Sequence, residues 1–485
     1  MPNDLNSLKG KNAPLIWNPQ GISQSWSELR VYFGEDKFGM SLQVVVGKWN
    51  HSTPPSRSEL EELYKMRLGK QVFPLAVAAL DTAGHLWIFG PNQESPRFGP
   101  LSESQGTRIL QSALFETSGI SARKLLVRAQ DSVATTAMPG ISNTGLFASY
   151  YLRTSAPERP DWETSATLAE SLLPLRGEQL IKSLGFTTEW VGSTAILLKN
   201  DVQIPRAVAV LLDESESFAQ PSPRFVQSPI AWGLSEAQRN ELQWLIALRG
   251  SQIRLYSAKA DKGVGRKGQS ETYLEVDLAL VDERYQPLLP LIFSANALAP
   301  NGSTEEILTS SGLYAVSLGQ RLRDRVYQTL VPKLSVAVAN EMTRLGLDLD
   351  PNGLEIAYGA TLRILFRLLF QAYGEDRSLL PFGRNPTYDR HALKTIAKEL
   401  LESPPASEND SSSSLWHDLS NAWQVIDNGD PSWSVPAYNG GLFSSKDEEG
   451  KLLAKIAIPN KIFVPALRAL LVDNGEDGVA SERQE

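Results

Sequence analysis

Residues 195–216 read AILLKNDVQIPRAVAVLLDESE, and the fold turns on them. Ala195 to Leu198 and Ala207 to Leu212 are apolar runs of strand length, too short for helices, and Lys199 to Gln203 is a polar turn between them. Upstream, Leu172 to Leu184 reads as a helix stopped by Gly185. Downstream, Ser235 to Glu241 begins another helix. Leu245 to Leu248 and Ile253 to Tyr256 then form a hairpin turning at Arg249-Gly250, and Tyr273 to Leu278 alternates as a further strand. The local order is therefore helix, hairpin, helix, hairpin.

The flanks differ in kind. Toward the amino terminus, Leu29 to Phe33 and Ser41 to Val46 are strand-like, and Arg57 to Arg67 places Leu60, Leu63 and Tyr64 on one helix face. Pro74 to Leu80 and Leu86 to Phe89 read as a hairpin around Asp81 to Gly84, closed by Gly90-Pro91. Residues 130–165, rich in Ser, Thr, Gly and Pro, read as a connection. From Glu305 onward the pattern is helical: Leu318, Leu322, Val326 and Leu330 share a face, and Pro332 is expected to bend or end that helix. Ile356 to Tyr373 is apolar nearly all round, which predicts a buried helix. Trp416 to Ile426 is a short amphipathic helix, and Asp473 to Glu485 a polar tail. No internal repeat is found. The expected class is α/β (α+β), with two mixed α/β domains followed by a mainly helical region. The expected segments are 1–130, a connector at 131–170, a second α/β domain at 171–300, helices at 304–402, a linker at 403–414, a small helical region at 415–475 and a tail at 476–485.

Composition narrows the chemistry. A chain of 485 residues suggests about three domains. It holds no Cys, which excludes disulfides, thiolate catalysis, Cys-based zinc sites and iron–sulfur clusters, and fits a reducing cytoplasm. No apolar run approaches the ~20 residues of a membrane span, and the start lacks the layout of a signal peptide. The net charge of −8 means that any contact with nucleic acid must come from local basic patches. The four His residues show no metal-ligand spacing, and no nucleophile elbow or phosphate-binding Gly-Lys-Ser/Thr occurs.

The order around residues 172–278 is the outline of a metal-dependent nuclease core. Such a core sets a carboxylate on one strand and Glu-x-Lys on the next, so that acids hold Mg²⁺ and the Lys orients water. The candidates here are Asp201, then Asp213 and Glu214 at the end of the second run, with Asp213 and Glu214 as metal ligands. No Lys stands two residues after either of these acids, so the triad is incomplete; the plain alternative is that they cap a strand end. Glu35-Asp36-Lys37 spells Glu-x-Lys but reads as a turn. Lys262 to Gly268, KGVGRKG, matches G-x-G-x-x-G, yet a strand follows where the dinucleotide fingerprint needs a helix. What remains is a basic loop region of Arg249, Arg254, Lys259, Lys262, Arg266 and Lys267 against one acid, Asp261. It suits DNA phosphate, or is otherwise a solvated hairpin loop. Arg363 and Arg367 share a helix face and predict an ion-pair network with acids such as Glu375 and Asp376, beside Arg377. Asn385-Pro386-Thr387-Tyr388 looks like the loop by which adenine methyltransferases hold a flipped base, but lacks the upstream strand and glycine turn.

Several stretches together carry a resemblance: Leu60 to Arg67, Phe89-Gly90-Pro91, Asn143 to Phe147, Arg159 to Trp162, Leu175 to Glu178, Arg254-Leu255-Tyr256 and Glu271 to Leu278. The most specific are Phe366 to Pro381 (FRLLFQAYGEDRSLLP) and Tyr438 to Phe443 (YNGGLF). Over about residues 25–472 the chain resembles the amino-terminal region of type IIG-like restriction–modification proteins, in which a restriction or specificity region is fused to an adenine-specific DNA methyltransferase. The glycine-rich cofactor motif and Asn-Pro-Pro-Tyr of that methyltransferase are absent from these residues. The resemblance implies a cytoplasmic, DNA-binding accessory part of a phage-defence system, with double-stranded DNA as partner. A separately encoded methyltransferase subunit would then bring S-adenosylmethionine. The alternatives are a Mg²⁺-dependent endonuclease with an unorthodox site, and a non-enzymatic protein partner of the methyltransferase.

Overall fold

Strand β3 (Gln43–Trp49) and strand β4 (Leu75–Leu80) run parallel, joined by helix α1 (Arg57–Leu68), and this crossover organises the first sheet. Ser56 and Glu59 start α1 with a reciprocal capping box. Around the crossover lie β1 (Leu15–Ile16), β2 (Trp26–Phe33), β5 (His85–Phe89) and β6 (Phe98–Ser102), each antiparallel to its neighbour in the order β1-β2-β3-β4-β5-β6. The two-residue period of a strand separates the sheet's faces. Val45 and Val77 pack under Leu60, Leu63 and Tyr64 of α1. Val44, Val46 and Ile88 pack under Ile109 and Leu110 of α2 (Glu103–Leu114) and Leu125 and Leu126 of α3 (Gly119–Thr135).

The computed structural model describes residues 5–34, 42–69, 74–116, 118–135, 137–192, 194–225, 227–260, 262–265, 268–376, 379–402, 411–474 and 480–482. Glu35-Asp36-Lys37, Asp261, Arg266, Lys267, Arg377 and most of the expected 403–414 linker lie outside them.

A second sheet follows. Its elements are β7 (Ile141–Thr144), α4 (Ser149–Thr154), α5 (Trp162–Leu172), α6 (Gly177–Ser183), β8 (Thr187–Val191), β9 (Ala195–Lys199), β10 (Pro205–Leu212), α7 (Pro229–Arg239), β11 (Trp244–Arg249), β12 (Gln252–Ser257), β13 (Tyr273–Asp277) and α8 (Leu288–Phe293). The strand order is β7-β13-β12-β11-β10-β9-β8, and only β10 and β11 are parallel, joined by α7. Alternate residues again divide the faces. Val208, Val210 and Leu245 meet Ile230 and Leu234 of α7, while Ala209, Ile246 and Leu255 meet Leu180 and Ile181 of α6 and Ile292 of α8.

No repeat is legible in the sequence, yet β1–β6 and β8–β13 share one connectivity: three antiparallel strands, a helix, a parallel strand, then two antiparallel strands. Both sheets belong to a unit spanning Met1–Gly312. Three expectations change. The connection at 130–165 holds the end of α3, β7, α4 and the start of α5, whose small Ser165 and Ala169 are buried. The expected helix Leu172–Leu184 is two helices, because Pro174 interrupts it. Helix α7 begins at Pro229 behind a Ser228 cap, six residues before the expected Ser235, as Ser-Pro favours.

The second unit spans Leu313–Glu485. Helix α9 (Ser303–Arg325) continues through a π-helical turn, Val326–Leu330, into α10 (Val331–Arg344). Helical residues continue past Pro332, and the regular ladder is interrupted just before it by the π-helical turn, beside the residue that lacks an N–H. Then come α11 (Pro351–Asp376), α12 (Pro386–Asp389), α13 (Leu393–Glu402), α14 (Ser414–Asn428), α15 (Glu448–Leu453) and α16 (Asn460–Leu471). Leu334, Ile364, Leu368, Trp416, Trp423, Phe463 and Leu467 form its core. Helix α11 departs from expectation: one face is buried, and the other exposes Leu354 at 53%, Phe366 at 52% and Tyr373 at 55%. In the expected tail, Val472–Asn474 pairs with Ala480–Glu482. Among the described residues no helix is long and apolar enough to cross a membrane.

Candidate functional site

Strands β10 and β11 end side by side, at Leu212 and Arg249. The carboxyl ends of adjacent parallel strands are where open α/β sheets gather functional side chains. A cleft of about 100 Å³ opens there. One wall is Glu214, Arg249 and the Gly250-Ser251-Gln252 turn; the other is Glu116, after α2, with Ser121, Lys124 and Arg128 of α3. Two carboxylates and three cations therefore meet where the two layers of this unit touch.

The wall is fixed by a buried acid. Asp277 accepts from Ser251 Oγ at 2.7 Å, from the Ala279 N–H at 3.1 Å and from Arg128 Nη2 at 3.2 Å. Behind it, Glu275 accepts from Gln252 Nε2 at 2.9 Å and Arg254 Nε at 2.5 Å. The Arg254 guanidinium also lies 3.8 Å from the Phe218 ring centre and 4.3 Å from that of Tyr273, so it is held on aromatic faces as well as by its acid. Arg249 donates to the Glu216 carbonyl at 3.1 Å and Gln252 Oε1 at 2.7 Å, and burial pulls its affinity for protons below the ordinary arginine value.

The mouth carries the unusual electrostatics. Burial, together with the charge of Glu214 to which it hydrogen-bonds, pushes the Glu116 carboxyl up to about 7, against the opposing pull of Arg128 and Arg176. Glu214 also accepts from Ser121 Oγ at 3.0 Å. A carboxyl raised on folding keeps its proton in the native state where the unfolded chain has lost it. Its stabilising effect is full below the unfolded value near 4.5 and is lost as pH rises toward about 7. Glu116→Gln should remove this dependence. The melting temperature of the variant relative to wild type is expected to rise steadily from pH 4.5 to 7.5; a constant difference would show that folding does not raise the Glu116 carboxyl.

The acids named from sequence scatter. Asp201 lies in the exposed β9–β10 turn, where its Oδ1 accepts from the Val202 N–H. Asp213 and Glu214 lie at the far end of β10, roughly 25 Å away at ~3.3 Å per residue. Asp213 is exposed and pairs with Arg224 at 3.3 Å. Glu216 ties the turn shut, accepting from the Asp213 N–H, Ser222 Oγ and Arg224. Among the described residues no three metal-ligating side chains converge.

Of the basic set, Arg249 and Arg254 are engaged internally, Lys259 and Lys262 are exposed, and Arg266 and Lys267 lie outside the described residues. The glycines of this loop have a packing role. The Val264 and Gly265 N–H groups donate to the Gly145 carbonyl, and a Cβ on Gly263 would stand 2.7 Å from that oxygen.

The second unit absorbs the remaining motifs. Asn385 caps α12 by accepting from the Thr387 and Tyr388 N–H groups, and Tyr388 is buried with its hydroxyl on Glu375. Arg363 pairs with Asp447 and Glu449. Arg367 instead donates to the Leu442 and Phe443 carbonyls at 3.0 Å each, which gives YNGGLF a structural role.

Sequence reading missed Glu116, Lys124, Arg128, Glu275 and Asp277. The last two had a signal: acids at alternate positions of the otherwise apolar YLEVD strand must share a face. Searches against family models, curated proteins and solved structures gave no match to this chain.

Proposed function

We propose that this chain is a DNA-directed accessory module of a bacterial restriction–modification system that works with an adenine-specific DNA methyltransferase. The observation that supports the reading is the order α6, the β9–β10 hairpin, α7 and the β11–β12 hairpin, to which β8 adds a strand, with no carboxylate on β9 or β10. A sheet whose central strands β10, β11 and β12 carry no acid suits holding DNA. Lys259 and Lys262 follow β12, are exposed, and are the described cations of the basic loop free to face phosphate.

Each phosphate contact contributes about 0.9 to the slope of log affinity against log salt. Lys259→Glu combined with Lys262→Glu is therefore expected to weaken duplex binding and to flatten that slope by roughly 2. An unchanged isotherm would remove the loop from the interface.

One observation favours a second reading, Mg²⁺-dependent cleavage: Glu214, just past β10, faces Glu116 across the cleft. Nicking of supercoiled plasmid that requires Mg²⁺ and disappears in Glu214→Ala would establish it. The accessory reading predicts no nicking by either protein.

A further inference from the structure

The cleft at the ends of β10 and β11 holds more positive charge than its acids match. Lys124 is exposed on α3 and has no partner among the described residues. Arg128 gives Nη2 to Asp277 at 3.2 Å and to Ser251 Oγ at 3.4 Å, while its Nε is buried with no acceptor among the described residues. Arg249 donates to two neutral acceptors, the Glu216 carbonyl and Gln252 Oε1. Arg176 likewise donates to the Leu173 and Leu175 carbonyls, and its charge reaches both Glu116 and Asp277. Arg254, behind the wall, is answered by Glu275. Four cations therefore face three acids: Asp277, Glu214 and Glu116. Glu116 hydrogen-bonds to Glu214 and keeps its proton up to about 7, so below that value the surplus is two positive charges. A partly enclosed cleft with such a surplus concentrates anions, because its low-dielectric walls focus the field.

We propose that this cleft is a binding site for a phosphate dianion, as inorganic phosphate or a phosphomonoester, gripped by Lys124, Arg128 and Arg249. Guanidinium forks match the spacing of phosphate oxygens, and a lysine adds a point charge. The volume of about 100 Å³ is several times what one water needs, so a phosphate group has room. The Gly250 corner of the wall leaves an approach open: nothing stands within 4 Å of where a Cβ would lie. The same cations oppose a divalent metal ion, which the two carboxyls alone would invite. A dianion beside Glu116 favours its protonated form, so affinity falls as pH rises through about 7, with Glu214, Lys124, Arg128 and Arg176 as the charges around that carboxyl. The inference rests on the cleft alone and holds whether or not Lys259 and Lys262 touch DNA.

Sulfate is the probe, because it stays doubly charged between about pH 6 and pH 8.5 while the carboxyl titrates. Calorimetric titration of the full chain with sulfate is expected to show one site at about pH 6, weakened about tenfold or more by about pH 8.5. Lys124→Gln removes an exposed side chain that supports no other, and should weaken binding about tenfold at either pH. Glu116→Gln should bind sulfate with an affinity that pH no longer changes. Competition then names the source. Displacement of sulfate by an oligonucleotide bearing a 5′-phosphate, and not by the same strand without it, assigns the site to a nucleic-acid end. Displacement by inorganic phosphate and a nucleoside monophosphate but by neither strand assigns it to a free phosphomonoester. No binding up to about 20 mM sulfate, full affinity in Lys124→Gln, or Mg²⁺ that binds without sulfate and is lost in Glu214→Ala would each overturn the proposal.

Discussion

Glu375→Ala is expected to destabilise the helical unit by about 3–5 kcal/mol, because it leaves several buried donors without their acceptor. The carboxylate lies at the start of α13, where helix N–H groups have no intrahelical partner. It accepts from the Leu393 N–H at 2.8 Å and the Lys394 N–H at 3.0 Å, and also from Tyr388 Oη at 2.9 Å and Gln371 Nε2 at 3.1 Å. Gln371 in turn accepts from Trp423 Nε1, so the network reaches α14. Alanine leaves these donors buried and unmatched, and each such group costs about 1–3 kcal/mol. In a unit of this size the melting temperature should fall on the order of 10 °C. Glu375→Gln keeps an oxygen for the helix start and should lose about half as much. Equal melting of wild type and Glu375→Ala would show that the network adds nothing.

Gly140→Ala should damage the α/β unit comparably. Gly140 has φ +77°, and an added Cβ would stand 2.2 Å from Val281 N and 2.3 Å from Val281 Cα, both rigid backbone. Its carbonyl accepts from the Asp277 N–H at 2.8 Å, so relief of the clash must move the residue that orients Ser251 and Arg128. The left-handed conformation alone costs an alanine about 1–2 kcal/mol, and displacing the strand end should bring the total to about 3 kcal/mol or more. Gly84→Ala separates the two contributions: its φ is +81°, with nothing within 4 Å of the added carbon, so only the conformational cost applies. Denaturant midpoints of the two variants measure the difference. If both lose the same stability, the close approach at Val281 is not a constraint.

What was legible in the sequence follows from pattern. Strands β4, β5, β9, β10, β11 and β12 announce themselves as short apolar runs bounded by turns, because burial on both faces leaves no other use for them. The run Gly119–Thr135 was overlooked because its small and polar residues dilute the periodicity; only the second layer of the unit explains why Leu125 and Leu126 are buried. Helix α11 misled in the opposite direction. Its sequence is apolar around much of the circumference, and sequence alone does not reveal that Leu354, Tyr358, Phe366 and Tyr373 stay about half exposed. The repeated connectivity was invisible because it resides in hydrogen-bond order, which different residues satisfy equally well. The cleft was half legible: Glu214 and Arg249 flank strand ends, but Glu116 and Arg128 reach them from about a hundred residues away.

If the α/β unit holds duplex DNA through its phosphates, the affinity of the chain must fall as salt rises. The most direct test is the affinity of the intact protein for a fluorescent duplex, measured by anisotropy across salt concentrations from about 50 to 200 mM. The expected result is a log–log line with a negative slope corresponding to at least two released counterions. Absence of binding at the lowest salt, or binding that salt leaves unchanged, would contradict it.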